Sequence, residues 1–250
     1  MKAEIRYPAR RVILRGLGGF VVGAGIAAPG DSWIVGQARA IWNAPDEKSP
    51  APDVGPLEDL MREHGALSRF LLIYDEIVSR LEGKREFPVE ALEESTMLIR
   101  RFVEDYHEKL EEQHIFPRFK KAGKLVDLVD ILLAQHQAGR RLTDSILKMS
   151  KTPGQAAARV GALTDKLADA LRRFTRMYRP HKAREDTVLF PAFHSLVTAA
   201  EFDKLGDEFE DKENELFGKE GFESIVAGVA KLEQRVGIYE LSGFTPKMSS

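Results

Sequence analysis

The sequence predicts an all-α protein, an up-down-up-down four-helix bundle with additional C-terminal helices. Three observations carry that expectation. Apolar residues recur three or four positions apart through four long segments, and no segment shows the alternation of a strand. Helix-breaking residues stand between the segments, at Gly83, Gly123 and Thr152-Pro153-Gly154. A motif, H-x3-E-x4-F-P, occurs twice, as His107, Glu111, Phe116, Pro117 and as His181, Glu185, Phe190, Pro191. Each copy follows a further histidine, His64 by 43 residues and His136 by 45.

The elements are justified in order. Arg10 and Arg11 precede an apolar, glycine- and alanine-rich run from Gly16 to Ala28. The run is shorter than the ~20 residues of a membrane span. A basic start, an apolar middle and a small-residue end make residues 1–30 a signal-like export segment. It resembles a twin-arginine signal, with Ala9 and Ile13 where Ser or Thr and Phe are commoner. Residues 31–55 read as a linker, densest in proline, serine and charge from Asn43 onward. The expectation is a bacterial protein that is periplasmic or membrane-associated, with a cytoplasmic location as the alternative.

Helical periodicity then begins. Leu57, Leu60, Met61, His64, Leu67, Leu71, Tyr74, Val78 and Leu81 form the first stripe, which Gly83 ends. Phe87-Pro88 opens a second helix with Leu92, Thr96, Ile99, Val103, His107, Glu111 and His114. A third follows Gly123, with Leu125, Leu128, Leu132, His136, Ile146 and Met149. The fourth carries Val160, Leu163, Leu167, Leu171, Phe174, His181, Glu185 and Val188, with a kink expected at Pro180. These four occupy a domain at residues 56–195. The extension at 196–250 holds two more amphipathic helices, near 198–217 and 222–236. They pack on the bundle or make a homodimer or partner contact.

Composition bounds the chemistry. The 250 residues are 43% hydrophobic, enough for one substantial core, and the formal net charge is −2. No long basic run appears, so a nucleic-acid partner is not expected. Cysteine is absent, which excludes thiolate zinc, iron–sulfur clusters, disulfides and cysteine nucleophiles. A metal here must sit on imidazole and carboxylate. Residues four apart on a helix differ by about 40° around its axis. His107 and Glu111 therefore point the same way, and so do His181 and Glu185. The four histidines and two glutamates all lie on core-facing stripes. A buried glutamate without a partner is strongly disfavoured, and two facing one another repel. A pair of cations removes both problems, with His64, His107, Glu111, His136, His181 and Glu185 as ligands. One histidine on an apolar face is usually a core residue, and a lone H-x3-E is a common exposed pair. It is the repetition that separates the two readings.

With those residues in view, the chain resembles the hemerythrin-like (HHE cation-binding) family over about residues 56–195. That resemblance implies a carboxylate-bridged centre of two iron ions able to bind dioxygen or another small diatomic ligand. There are departures. Oxygen carriers of the family have His-x3-His on the third helix, where this chain has Arg140. Their fourth helix has His-x4-Asp, where this chain has His181-x3-Glu185. His107-Glu108-x2-Glu111 instead looks like an iron-sensing hemerythrin-like domain.

Other residues have a bland and a sharp reading. His114 lies on nearly the same face as His107; it is a replacement for the missing histidine or, more simply, an outer or surface group. Glu108 is an extra carboxylate ligand or part of a solvated face. Tyr106 and Tyr178 donate hydrogen bonds near the site or pack in the core. Phe116 and Phe190 cover the metal pocket, and His194 is at the surface. Three functions share these ligands: dioxygen storage, delivery or sensing; an enzyme reducing peroxide or nitric oxide or oxidising ferrous iron; and an iron-homeostasis sensor. The expectation leans to binding rather than catalysis. A ferritin-like oxidase needs Glu-x2-His on two helices, whereas Glu104-x2-His107 and Glu111-x2-His114 share one.

Overall fold

The computed structural model describes residues 54–151, 162–218 and 221–246. The export segment, the linker up to residue 53, the Thr152-Pro153-Gly154 break and Val160 lie outside the described residues. Among the described residues the protein is all-helical. Helix α1 is Pro56–Glu82 and α2 spans residues 89–122. Helix α3 is Val126–Ser150, α4 spans 162–193, α5 is Ala199–Phe217 and α6 is Gly221–Val236. A single 3-10 turn follows at Leu241–Phe244.

Local chemistry explains the ends of α1. Pro56 pre-sets the first turn, Glu58 and Asp59 face the positive end of the helix dipole, and Arg80 faces the negative end. The stripe from Leu60 through Leu81 is buried as the periodicity predicts, except that Met61 is 37% exposed. Glu63 is buried in its place. The buried arc is wider than one stripe because α4 and α6 both pack on α1.

Four pairs of helices meet in opposite chain directions. Along α1 and α4, Glu82 pairs with Arg172, Asp75 with Arg179 and His64 with Asp186. Along α2 and α3, Thr143 bonds Glu104, Arg140 pairs with Glu108 and His136 meets Glu112. Tyr74 bonds Thr96 between α1 and α2, where His64 also meets His107. Between α3 and α4, Gly139 abuts Tyr178 and His136 meets His181. Most of the core lies among these four, and Leu205, Phe209, Ile225, Val229, Leu232 and Val236 of α5 and α6 extend it.

Two helical irregularities coincide with the repeated motif. Pro117 has no N–H to offer the carbonyl four residues back, and neither has Pro191. Just upstream the helix widens into a π turn at Glu111–Ile115 and again at Glu185–Leu189. There the Phe116 N–H bonds the Glu111 carbonyl and the Phe190 N–H bonds that of Glu185. The x4-F-P spacing therefore starts a wide turn at each glutamate, in keeping with the frequent presence of such bulges at functional sites. A longer π stretch, Ile99–His107, contains no proline, and nothing in its sequence explains it. Helix α4 continues through Pro180 without a break.

The C-terminal helices pack on α1 and α2 of the same chain. Glu233 accepts two hydrogen bonds from Arg69, at 2.9 and 2.5 Å, and Glu94 pairs with Arg235 at 2.5 Å. Phe217 meets Phe102 and Tyr106 edge-on, which buries a second face of α2. A capping box closes the start of α5, where Thr198 and Glu201 exchange hydrogen bonds.

Candidate metal centre

Six residues meet in the core. His64, His107, Glu111, His136, His181 and Glu185 are all 0–4% exposed. They form two groups: His64, His107 and Glu111, then His136, His181 and Glu185. The Nε2 atoms of His64 and His107 lie 3.0 Å apart, and those of His136 and His181 3.1 Å apart. The glutamates reach both groups. Glu185 Oε2 is 3.3 Å from His64 Nε2, and its Oε1 is 3.1 Å from His181 Nε2. Glu111 Oε2 is 3.4 Å from His136 Nε2 and 3.8 Å from His107 Nε2.

The outer nitrogen of each ring fixes its tautomer. The Nδ1–H of His64 donates to Asp186 at 2.7 Å, and that of His107 to Glu63 at 2.5 Å. His136 donates to Glu112 at 3.1 Å and His181 to Gln135 Oε1 at 2.8 Å. In a neutral ring one nitrogen donates and the other carries a lone pair. Four lone pairs therefore turn inward. Burial, with His64 beside it, holds His107 well below the usual histidine range. Burial also pulls His136 down. At His64 burial acts the same way, but Asp186 and Glu185 outweigh it and raise the ring. Burial and the facing Glu185 push Glu111 well above the carboxylate range. Glu185 resists the same burial because His181 and His64 hold it well below. Without a metal ion the two acids are thus driven apart, Glu111 toward keeping its proton and Glu185 toward losing it.

The donor set fits a pair of cations. Both oxygens of Glu111 and both of Glu185 are buried without a hydrogen-bond partner. Such groups are costly unless something satisfies them. Two nitrogens bonded to one ion at about 2.1 Å and at right angles stand about 3.0 Å apart. That separation matches both imidazole pairs.

Comparison with known proteins agrees. The family model of the hemerythrin HHE cation binding domain matches residues 55–192, and again 127–232. The chain belongs to the hemerythrin HHE cation-binding family. An uncharacterized protein of Mycobacterium tuberculosis is 50% identical over 189 residues, which is 76% of this chain and 73% of the relative. One of Mycobacterium bovis shows the same identity and coverage. No solved structure matches the chain.

The support around this hemerythrin-like site is crosswise. The residue before the first histidine of each half, Glu63 or Gln135, holds the motif histidine of the same half. The residue after each motif glutamate, Glu112 or Asp186, holds the first histidine of the other half. Sequence reasoning passed over these four. Their signal was adjacency to a ligand position in both copies. The phenylalanines cross over in the same way. Phe190 stacks on His64 at 5.7 Å between centroids, and Phe116 on His136 at 5.4 Å.

The remaining expectations resolve individually. Arg140, one turn on from His136, ion-pairs with Glu108 at 2.6 Å and Glu112 at 2.7 Å. Glu108 is buried, not on a solvated face, and it also accepts a 2.6 Å hydrogen bond from Tyr178. Burial pushes its carboxyl up to about 8 despite Arg140 and Tyr178. Its nearest approach to His136 is 4.0 Å, on the outer Nδ1 side. His114 turns away to Phe209 and Glu208 on α5, so it does not supply the missing imidazole. Tyr106 is buried with an unpartnered hydroxyl, and His194 is exposed against Phe202.

Proposed function

We propose that this chain is a non-haem di-iron protein that binds dioxygen for storage, delivery or sensing, within an up-down-up-down bundle of α1 to α4. One observation carries the proposal: four inward Nε2 atoms surround two buried carboxylates whose oxygens have no other partner. Nitrogen and carboxylate ligands suit iron. His64 and His107 would hold one ion and His136 and His181 the other, with Glu111 and Glu185 reaching both. Each ion would then have fewer protein ligands than an octahedral ion takes, which leaves room for a small ligand. Iron there would supply the electrons that dioxygen binding draws on. The protein's own contribution is enclosure and tuning. Phe116 and Phe190 exclude water from the imidazoles, and the Nδ1–H bonds to oxygen strengthen each ring as a donor.

A second reading is redox chemistry, in which peroxide or nitric oxide is reduced or ferrous iron oxidised. Arg140 favours it, because a guanidinium bound to Glu108 and Glu112 stands where carriers place an imidazole. We also propose bacterial export by the twin-arginine-like segment, the division of the chain near residue 195, and a homodimer or partner contact through the C-terminal helices. No helix among the described residues is long and apolar enough to cross a membrane. Cell fractionation with N-terminal sequencing tests export; full-length protein confined to the cytosol overturns it.

The main test is metal analysis with optical spectroscopy after anaerobic ferrous loading. About two irons per chain are expected. Stopped-flow mixing with dioxygen, peroxide and nitric oxide then separates binding from turnover. A saturating content of one iron or none defeats the dinuclear reading. A spectrum unmoved by dioxygen defeats the oxygen reading.

A further inference from the structure

A second acidic group lies outside the histidine cluster, where the start of α1 meets α5. Asp59, Glu63 and Glu213 each place an oxygen within 4.8 Å of the others. Their existing partners are few. Asp59 receives Arg62 Nη1 at 3.2 Å, while Arg62 also leans over the Phe222 ring and reaches Glu223 at 3.7 Å. Glu213 Oε1 accepts the Phe222 N–H at 2.6 Å, and Glu63 Oε2 accepts the His107 Nδ1–H. Two polar atoms are left over. Glu63 Oε1 and the Tyr106 hydroxyl are both buried without a well-formed hydrogen bond, although the two side chains are neighbours, and both residues are only 1% exposed. Tyr106 lies beside Glu63, Glu213 and Asp59.

A water molecule would satisfy the two leftover atoms, yet three carboxylates would still face one another. A cation answers both difficulties at once. We infer that Asp59, Glu63 and Glu213 hold a third divalent cation on the outer side of His107. An all-oxygen donor set selects a hard ion such as Mn2+ or Mg2+. Asp59 and Glu213 are partly exposed, so this site opens to solvent while the imidazoles are sealed. Glu63 belongs to both sites, one oxygen toward His107 and the other toward the acids. The inference goes beyond the di-iron reading and does not depend on it.

The probe is Mn2+, titrated into the iron-loaded full chain and followed by loss of the free-ion electron paramagnetic signal, with iron measured in parallel. About one Mn2+ per chain should bind without displacing iron. Asp59→Asn and Glu213→Gln, both close in size to the native side chains, should each weaken Mn2+ at least tenfold. Their iron content and thermal midpoint should stay those of the unmodified protein. Failure to bind Mn2+, binding in either variant as tight as in the native protein, or binding only as iron leaves would each overturn the site. Neither variant touches an imidazole, so the Mn2+ result is read separately from how much iron the histidines take.

Discussion

At the residue scale, Gly139 shows how narrowly the site is built. Glycine inside a helix costs about 1 kcal/mol relative to alanine, so its place in α3 needs a reason. A Cβ there would stand 2.0 Å from the Tyr178 hydroxyl and 2.8 Å from the ring carbon that bears it. The missing side chain lets Tyr178 reach Glu108. Gly139→Ala should cost about 1–3 kcal/mol through overpacking, despite the better helix former. In a Tyr178→Phe background the cost should shrink without vanishing, since the ring carbon still crowds the methyl group. Urea denaturation of the four proteins in a double-mutant cycle measures this; an equal cost in both backgrounds would mean that Tyr178 is not the obstacle. The same scale shows what the sequence could and could not disclose. Six inward residues were legible because repetition distinguishes them from isolated core histidines. Glu112 and Asp186 were not, because an acid beside an acid on a helix looks like a solvated edge. Arg140 could be read as a missing histidine, but its two carboxylates became visible only when α2 met α3.

At the element scale, periodicity located every long helix, and Gly83 and Gly123 end α1 and α2 as expected. It did not say what the outer faces meet. Phe102 and Tyr106 lie off the main stripe of α2 and make sense only once Phe217 covers them. An amphipathic face declares that it is covered without declaring by what. The capping box of α5 gives a clean electrostatic prediction away from the metal ligands. Hydrogen bonds from the Thr198 N–H, at 2.8 Å, and hydroxyl, at 2.9 Å, hold the Glu201 carboxyl below its ordinary value. A depressed acid stabilises the fold fully above the ordinary carboxyl value, about 4.3. That contribution drains away as pH falls through the lower folded value. Carboxyl NMR titration should find Glu201 low in the native protein and less low in Thr198→Ala, which loses the hydroxyl donor but keeps the backbone N–H. No difference between the two would remove the cap from the account.

At the scale of the whole molecule, the buried acids set stability and metal binding against each other. Glu111 is held well above its ordinary value by burial and by Glu185. The metal-free folded state therefore keeps a proton that the unfolded chain gives up above about pH 4.3. When the folded state binds more protons, stability falls as pH rises. Metal-free protein should lose up to about 1.4 kcal/mol per pH unit from this group across that window. Glu111→Gln should make the slope shallower by that amount, the share of Glu63 and Glu108 remaining, and leave the metal-free protein as stable or more so at neutral pH, while iron content collapses. Chelation should lower the thermal midpoint of the native protein and leave that of Glu111→Gln unmoved. Denaturation at several pH values, with and without chelator, decides it. A metal-free Glu111→Gln protein less stable than the native one at neutral pH would contradict the assignment.

The crosswise support has a bearing on transplantation. A designer who grafted only the six inward residues onto another helical scaffold would copy imidazoles with no instruction about which nitrogen keeps its proton. The ring orientation would go with it, since the same outer oxygen fixes both. Glu63, Glu112, Gln135 and Asp186 carry that instruction, and two of them deliver it to the opposite half. Neither half is then a portable module. The smallest transferable unit is the ten-residue set, carried on all four helices at their native spacing.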